Sequence, residues 1–245
     1  MPSQTFLRNT VHRVTKLRRV LVEPSYRRAL ARGVAATTEH ETVTFPREYG
    51  TVIDVGANRG QFALFALHRF PRADIFCFEP LSEAYQKLAQ VVGHKSRVSI
   101  QQCAIGATEG TLSLNVTRND DSSSLLEPTE LQTHTFSNTN AISSVNVAVK
   151  RLDDVIDAGS LSCPFLLKID VQGFELEVIK GAQRLLGEDG DLLVESSFAE
   201  LYANQAMADE VVATLLSQGY RLRGIFSLVH GLDGAPLQGD FLFSR

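Results

Sequence analysis

Val52-Ile53-Asp54-Val55-Gly56-Ala57-Asn58-Arg59-Gly60 is the stretch that decides the fold. A short β-rich run, Thr51–Val55, carries an acidic residue and leads into two glycines four positions apart. Residues 61–70 then read as a helix, stopped by Pro71. Glycine lets a chain turn tightly and approach a ligand closely. The N-terminus of the next helix offers unpaired N–H groups and a potential that favours a carboxylate.

The same rhythm continues outward. Residues 74–78 read as a second strand, 82–92 as a helix opened by a Ser82 cap, and 97–103 as a third strand. Further on, 165–169 reads as a buried strand, 174–186 as a helix closed by Gly187, 191–195 as a strand and 207–218 as a helix closed by Gly219. Residues 220–226 and 240–243 are two last strands, and Asp233-Gly234 between them suits an antiparallel pair. Strands alternating with helices predict an α/β fold: a doubly wound, mostly parallel sheet with helices on both faces. Ligands in such sheets sit beyond the carboxyl ends of the strands, at the switch point. The interval between is irregular. Residues 111–116 and 144–150 alternate like strands, and 117–144, rich in Ser, Thr, Asn and Asp, reads as a long surface loop or lid.

The chain has 245 residues, 44% hydrophobic and 21% charged, an ordinary globular composition. Its net charge of −4 argues against a nucleic-acid binder. Residues 1–40 hold eight Arg and Lys against two Glu, so +6 stands against −10 in the remainder. Leu7, Val11, Val14, Leu17 and Leu21 recur at helical spacing with arginines between them, a basic amphipathic helix ended by Pro24. Residues 1–48 are therefore read as a basic helical segment and 49–245 as the main domain. The segment suits packing over the cleft, or peripheral contact of residues 1–32 with an anionic membrane. Nucleic acid is a poorer partner, because only Phe6 and Tyr26 are available to stack. No apolar run approaches about 18 residues and no secretory h-region is present, so a cytoplasmic chain is expected. Cys77, Cys103 and Cys163 form no CxxC pair and read as free thiols. The sequon Asn115-Val116-Thr117 is set aside for want of a signal peptide. The six histidines show no metal spacing, and no metal is expected; His134 and His230 fall in predicted loops and read as solvated loop histidines, or as side chains that approach a substrate.

The glycine spacing bears on the ligand. A dinucleotide site wants G-x-G-x-x-G around a pyrophosphate, whereas this chain has D-x-G-x-x-x-G. S-adenosyl-L-methionine (SAM) has no phosphate but has an amino group, a carboxylate, a ribose and an adenine. Asp54 suits the amino group, directly or through water, and Gly56, Asn58 and Gly60 form the turn around it. Glu79, 19 residues after Gly60 in Phe78-Glu79-Pro80, suits the ribose hydroxyls. Ala104 and Ile105, with Pro80, suit the adenine. Taken singly, Asp54 also reads as a helix cap and Glu79 as a solvated strand end. Asp170 ends the strand at 165–169 beside the expected methyl position, as a cofactor contact and as the candidate general base. Its other reading is a structural pair with Lys168; Glu175 and Glu195 stand behind it as candidates.

Asp54–Gly60, Phe78-Glu79-Pro80 and Leu167-Lys168-Ile169-Asp170-Val171-Gln172-Gly173-Phe174-Glu175 resemble the FkbM family of SAM-dependent methyltransferases. Ser122-Ser123-Ser124-Leu125, residues 149–154, Gly181-Ala182 and Val194-Glu195 extend the resemblance over about residues 50–245. Gln172 departs from it, since glutamate is more common there. The resemblance implies a class I methyltransferase fold of seven strands with the last antiparallel. It also implies O-methylation of a sugar, glycolipid or secondary-metabolite hydroxyl, and cofactor roles for Asp54, Gly56, Gly60 and Glu79. Two other readings stand beside it: a nicotinamide-dependent oxidoreductase, disfavoured by the missing third glycine, and a non-catalytic SAM-binding or membrane-associated module.

Overall fold

The computed structural model describes residues 23–37, 39–118 and 120–245. The amphipathic helix expected over residues 6–21 lies outside them. The helices are α1 (Pro24–Leu30), α2 (Gln61–Arg69), α3 (Ser82–Val92), α4 (Glu130–Thr135), α5 (Leu152–Val155), α6 (Glu175–Lys180) and α7 (Ala208–Ser217). The strands are β1 (Thr51–Val55), β2 (Asp74–Phe78), β3 (Val98–Gln101), β4 (Ala104–Ile105), β5 (Gly110–Thr117), β6 (Ala141–Lys150), β7 (Phe165–Ile169), β8 (Gly190–Ser197), β9 (Arg221–His230) and β10 (Pro236–Ser244).

Seven strands form one sheet in the order β3-β2-β1-β7-β8-β10-β9. Pairing from β3 through β8 is parallel, and β10 is antiparallel to both its neighbours. This is the expected doubly wound α/β sheet, with the last strand reversed. β1 and β7 are buried at every position, as central parallel strands covered on both faces must be. One face packs Val52, Ile75 and Leu166 against Phe62, Phe65 and Leu88 of α2 and α3. The other packs Ile53, Leu167 and Val194 against Val178, Ile179 and Val211 of α6 and α7. Leu88, Val91 and Val92 supply the buried stripe of α3.

Four expectations are corrected. The strand expected over 97–103 ends at Gln101, and Ala104 and Ile105 pair with β6 in a separate sheet of order β4-β6-β5. The long loop expected over 117–144 contains α4 and the start of β6, and Asn115 and Ser124 exchange backbone hydrogen bonds across its base. The helix expected over 174–186 stops at Lys180: the Gly181 carbonyl accepts the Asp153 N–H, the Asp153 carboxylate takes the Arg184 and Leu185 N–H groups, and Gly181 packs on Gly106, where an added Cβ would lie 2.1 Å from the carbonyl oxygen. Ser82 does not cap α3; Leu81 holds that position, and its N–H donates to Glu79 Oε1.

Pro24 opens α1, a place where its missing N–H costs nothing, and the Glu23 carboxylate accepts the Ser25 N–H. Tyr26, Ala29, Val34, Ala36, Val43 and Tyr49 belong to the same core as β1 and α2. At the amino ends of the strands Asp191 is fully buried and accepts two hydrogen bonds from Arg47 and one from the Tyr49 hydroxyl. Among the described residues no helix is long and apolar enough to cross a membrane. Cys77 and Cys103 are buried free thiols, and Cys163 is exposed.

Candidate active site

The carboxyl ends of β1, β2 and β7 meet where the chain leaves β1 outward to β2 and β3 and later returns to β7. A cavity of about 430 Å³ opens there, a size suited to a small molecule or cofactor. Gly56 turns the chain at its floor with φ +79. An added Cβ would lie 1.8 Å from the Asp170 carbonyl oxygen, so the exits of β1 and β7 pass each other only because this residue is glycine. Gly60, at φ +93, precedes α2 and faces Leu88 without lining the cavity.

Glu79 is buried at the end of β2 and lines the cavity. Its Oε2 accepts the Asn58 N–H at 2.8 Å and its Oε1 the Leu81 N–H at 2.8 Å. A carboxylate has about four lone-pair sites and accepts hydroxyl as well as N–H donors. Asn58 and Gln61 also line the cavity, and Asn58 Oδ1 and Gln61 Oε1 are buried with no hydrogen-bond partner among the described residues. Pro80, Leu81, Ala104 and Ile105 complete this wall. Two buried amide acceptors, a carboxylate at the strand end and an apolar wall fit an ammonium, a diol and a flat heteroaromatic ring. SAM carries all three.

Lys168 sits between two carboxylates. Its Nζ lies 3.2 Å from Asp54 Oδ1 and 3.2 Å from Asp170 Oδ2, and it donates to the Gly56 carbonyl at 3.1 Å. Burial works against the ammonium, but the two carboxylates overcome it and hold its proton more tightly than usual. Asp54 is fully buried and does not line the cavity. The group lying against the Asp54 carboxylate is Lys168. Burial pushes the Asp54 carboxyl up, with Lys168 opposing it.

Asp170 lines the cavity with its side chain 34% exposed. Burial raises its proton affinity, but Lys168 and a 2.8 Å hydrogen bond from Gln172 Nε2 outweigh that and leave it below the ordinary range. An acid held ionised in this way is a weak proton acceptor. It suits the expected contact with a cationic ligand better than the expected role of general base.

Gln172 takes a left-handed backbone, φ 56, and connects several parts of the site. Its Nε2 donates to Asp170 Oδ1 and to Glu195 Oε2, both at 2.8 Å. Its Oε1 accepts the Tyr202 hydroxyl, and its carbonyl accepts Ser124 Oγ. A glutamate here would bring a third carboxylate against Asp170 and Glu195. Glu195 lies behind Gln172, outside the cavity lining, and burial pushes its carboxyl well up. Glu175 is buried under the β7 exit and accepts N–H bonds from Val171 and Gly173. His134 lies on α4 and His230 at the end of β9, and neither lines the cavity. Among the described residues no three His, Cys, Asp or Glu side chains are grouped to hold a metal.

The sequence reading missed His40. It lines the cavity from the segment before β1, only 11% exposed, with its ring edge-on to Phe62 at 4.8 Å. A lone histidine in an aperiodic stretch gives no pattern to find.

The profile of the Methyltransferase FkbM domain matches residues 54–222. Methyltransferase sdnD of Sordaria araneosa is 30% identical over 194 residues, 69% of this chain and 73% of that one. The 2-O-methyltransferase NoeI of Sinorhizobium fredii is 29% identical over 165 residues, 63% of this chain and 66% of that one. The 31-O-demethyl-FK506 methyltransferase FkbM of Streptomyces tacrolimicus is 27% identical over 191 residues, 69% and 72% of the two chains. With the switch-point cavity and the matched run from Asp54 through the β7 exit, this chain belongs to the FkbM methyltransferase family, and it is a SAM-dependent enzyme.

Proposed function

We propose that the protein transfers a methyl group from SAM to a hydroxyl oxygen on a sugar, glycolipid or other hydroxylated metabolite. The observation that carries this reading is the mixed lining of the cavity. Besides the residues that fit the cofactor it is lined by Thr37, His40 and Ser123, side chains of the kind that hydrogen-bond hydroxyls. Two of the similar proteins are named for O-methylation, at a 2-O and a 31-O position.

Glu79 would hold the ribose hydroxyls, Asn58 Oδ1 and Gln61 Oε1 the amino group, and Leu81, Ala104 and Ile105 the adenine. Asp170 would face the cationic end of the cofactor, held ionised by Lys168, with Asp54 acting on it through the same lysine. SAM supplies a methyl group on a cationic sulfur that leaves as a neutral thioether. The protein's own part is alignment of the acceptor and exclusion of water. The segment before β1 and the segment after β5 flank the opening and serve that end.

Methyl-labelled SAM, incubated with the purified protein and hexuronic acids, neutral sugars, hydroxylated polyketides or a lipid extract, tests the proposal. Label on an oxygen, lost in Glu79→Ala together with S-adenosylhomocysteine binding by calorimetry, is the expected result. Label in the lipid fraction would give residues 1–32 a membrane role. Label on nitrogen or carbon alone would overturn the reading.

A further inference from the structure

We infer that the proton of the acceptor hydroxyl leaves through Thr37, His40 and Asp240. This rests on the hydroxyl-methylation reading above and names the group that reading lacks. Thr37 and His40 both line the cavity, where the Thr37 N–H donates to the Gln61 carbonyl and the His40 ring packs edge-on to Phe62. His40 Nδ1 lies 3.0 Å from Thr37 Oγ1, and His40 Nε2 lies 3.7 Å from Asp240 Oδ2. Asp240 sits on β10 behind the ring, 14% exposed. Two separate parts of the chain thus order a hydroxyl, an imidazole and a carboxylate in series, starting at the cavity and ending in the sheet.

The order sets the proton positions. A carboxylate beside Nε2 favours the tautomer that carries its proton there, and Nδ1 is left to accept. The hydrogen bond it shares with Thr37 is then donated by the threonine hydroxyl. As the acceptor oxygen forms its new bond to carbon, the carbon–sulfur bond breaks and its electron pair stays on sulfur. The acceptor's proton passes to Thr37 Oγ1 while Thr37's own proton passes to Nδ1. His40 becomes an imidazolium with Nε2–H directed at Asp240, and later returns its proton to solvent.

The charged groups around the ring set its resting state. Burial, with Lys168 adding to it and Asp170 opposing, pushes His40 down to about 4, so the imidazole rests neutral at neutral pH and gives up quickly any proton it receives. Asp240, pushed up to about 6 by burial, is ionised there and positions the ring. Asp170 is occupied by Lys168 and Gln172 on its two oxygens.

The test uses the full chain and its Thr37→Val, His40→Ala and Asp240→Asn variants. S-adenosylhomocysteine affinity is measured by calorimetry, and turnover with whichever acceptor takes label in the assay above. All three variants are expected to bind S-adenosylhomocysteine within about threefold of wild type, while His40→Ala turns over roughly 100-fold slower or worse and Thr37→Val at least roughly 10-fold slower. Free imidazole is expected to restore part of the His40→Ala rate. A His40→Ala rate within about threefold of wild type, a rate loss matched by lost cofactor affinity, or no response to imidazole would overturn the inference. Nitrogen NMR of the histidine ring reads the series without turnover. His40 is expected to be neutral and Nε2-protonated at pH 7, and to lose that tautomer in Asp240→Asn. A ring that is cationic, or unchanged in that variant, would also overturn it. Wild type that fails to bind S-adenosylhomocysteine or to label any acceptor would instead sink the hydroxyl-methylation reading, leaving the NMR result to judge the series alone.

Discussion

Lys168 shows how much of the site one side chain organises. Its ammonium has three N–H bonds and three oxygens around it, from Asp54, Asp170 and Gly56. Removing one partner of a buried ion pair typically costs about 3–5 kcal/mol, because the other charge stays buried. Glu175, below the same loop, has no cation paired with it among the described residues. Its Oε1 accepts the N–H groups of Val171 and Gly173, yet burial dominates and pushes the carboxyl up to about 7. Below about pH 4.5 the residue is protonated in both the folded and unfolded chain. Between there and about pH 7 the folded chain holds the extra proton, so stability falls as pH rises. Above that the penalty is constant, at roughly 3 kcal/mol. Glu175→Gln keeps an acceptor oxygen and removes the titration. Urea unfolding at pH 5 and pH 8 should therefore show a loss of stability with pH that is smaller in the variant by roughly 2–3 kcal/mol; an equal loss in both proteins would refute the assignment.

At the scale of elements, legibility followed burial. The predicted bounds of β1, β2 and β7 coincide with the observed ones, because each is a short apolar run in the middle of a covered sheet. Chain position alone did not reveal that Cys103 turns the backbone out of that sheet, so that Ala104 and Ile105 pair with β6, far away in sequence. Nor did helical periodicity reveal the break after Lys180. Gly181 reads as an ordinary helix position until Gly106 of the neighbouring loop is placed on top of it. The two glycines hold the β4 exit against α6, and β4 carries the Ala104 and Ile105 wall of the cavity. Gly181→Ala would force these apart. A loss of about 1–3 kcal/mol in stability is expected by chemical denaturation, with weaker S-adenosylhomocysteine binding by calorimetry. A loss of stability with cofactor affinity unchanged would mean that the wall is held independently of this contact.

For the whole molecule, the sequence places the start of the α/β rhythm near residue 49, but the core begins earlier. Tyr26, Ala29, Val34, Ala36 and Val43 pack with Phe62 and Phe65 of α2 on one face of the sheet. These residues carry no helical or strand period that would assign them to that core, since they come from a short helix and an irregular strap. The strap also supplies Thr37 and His40 to the cavity, so the same residues cover α2 and line the site. Each large apolar side chain returned to water loses about 1.5–3 kcal/mol, against a total stability of about 5–15 kcal/mol for an ordinary domain. A chain beginning at residue 49 would uncover Phe62 and Phe65 together and leave Asp191 without Arg47. It is expected to keep secondary structure by far-ultraviolet dichroism but to lose a cooperative melt and to bind a hydrophobic dye, the signature of a core without fixed packing. A sharp melt and full S-adenosylhomocysteine affinity in that fragment would instead make the strap a dispensable cover, and would confine its contribution to the acceptor side of the reaction.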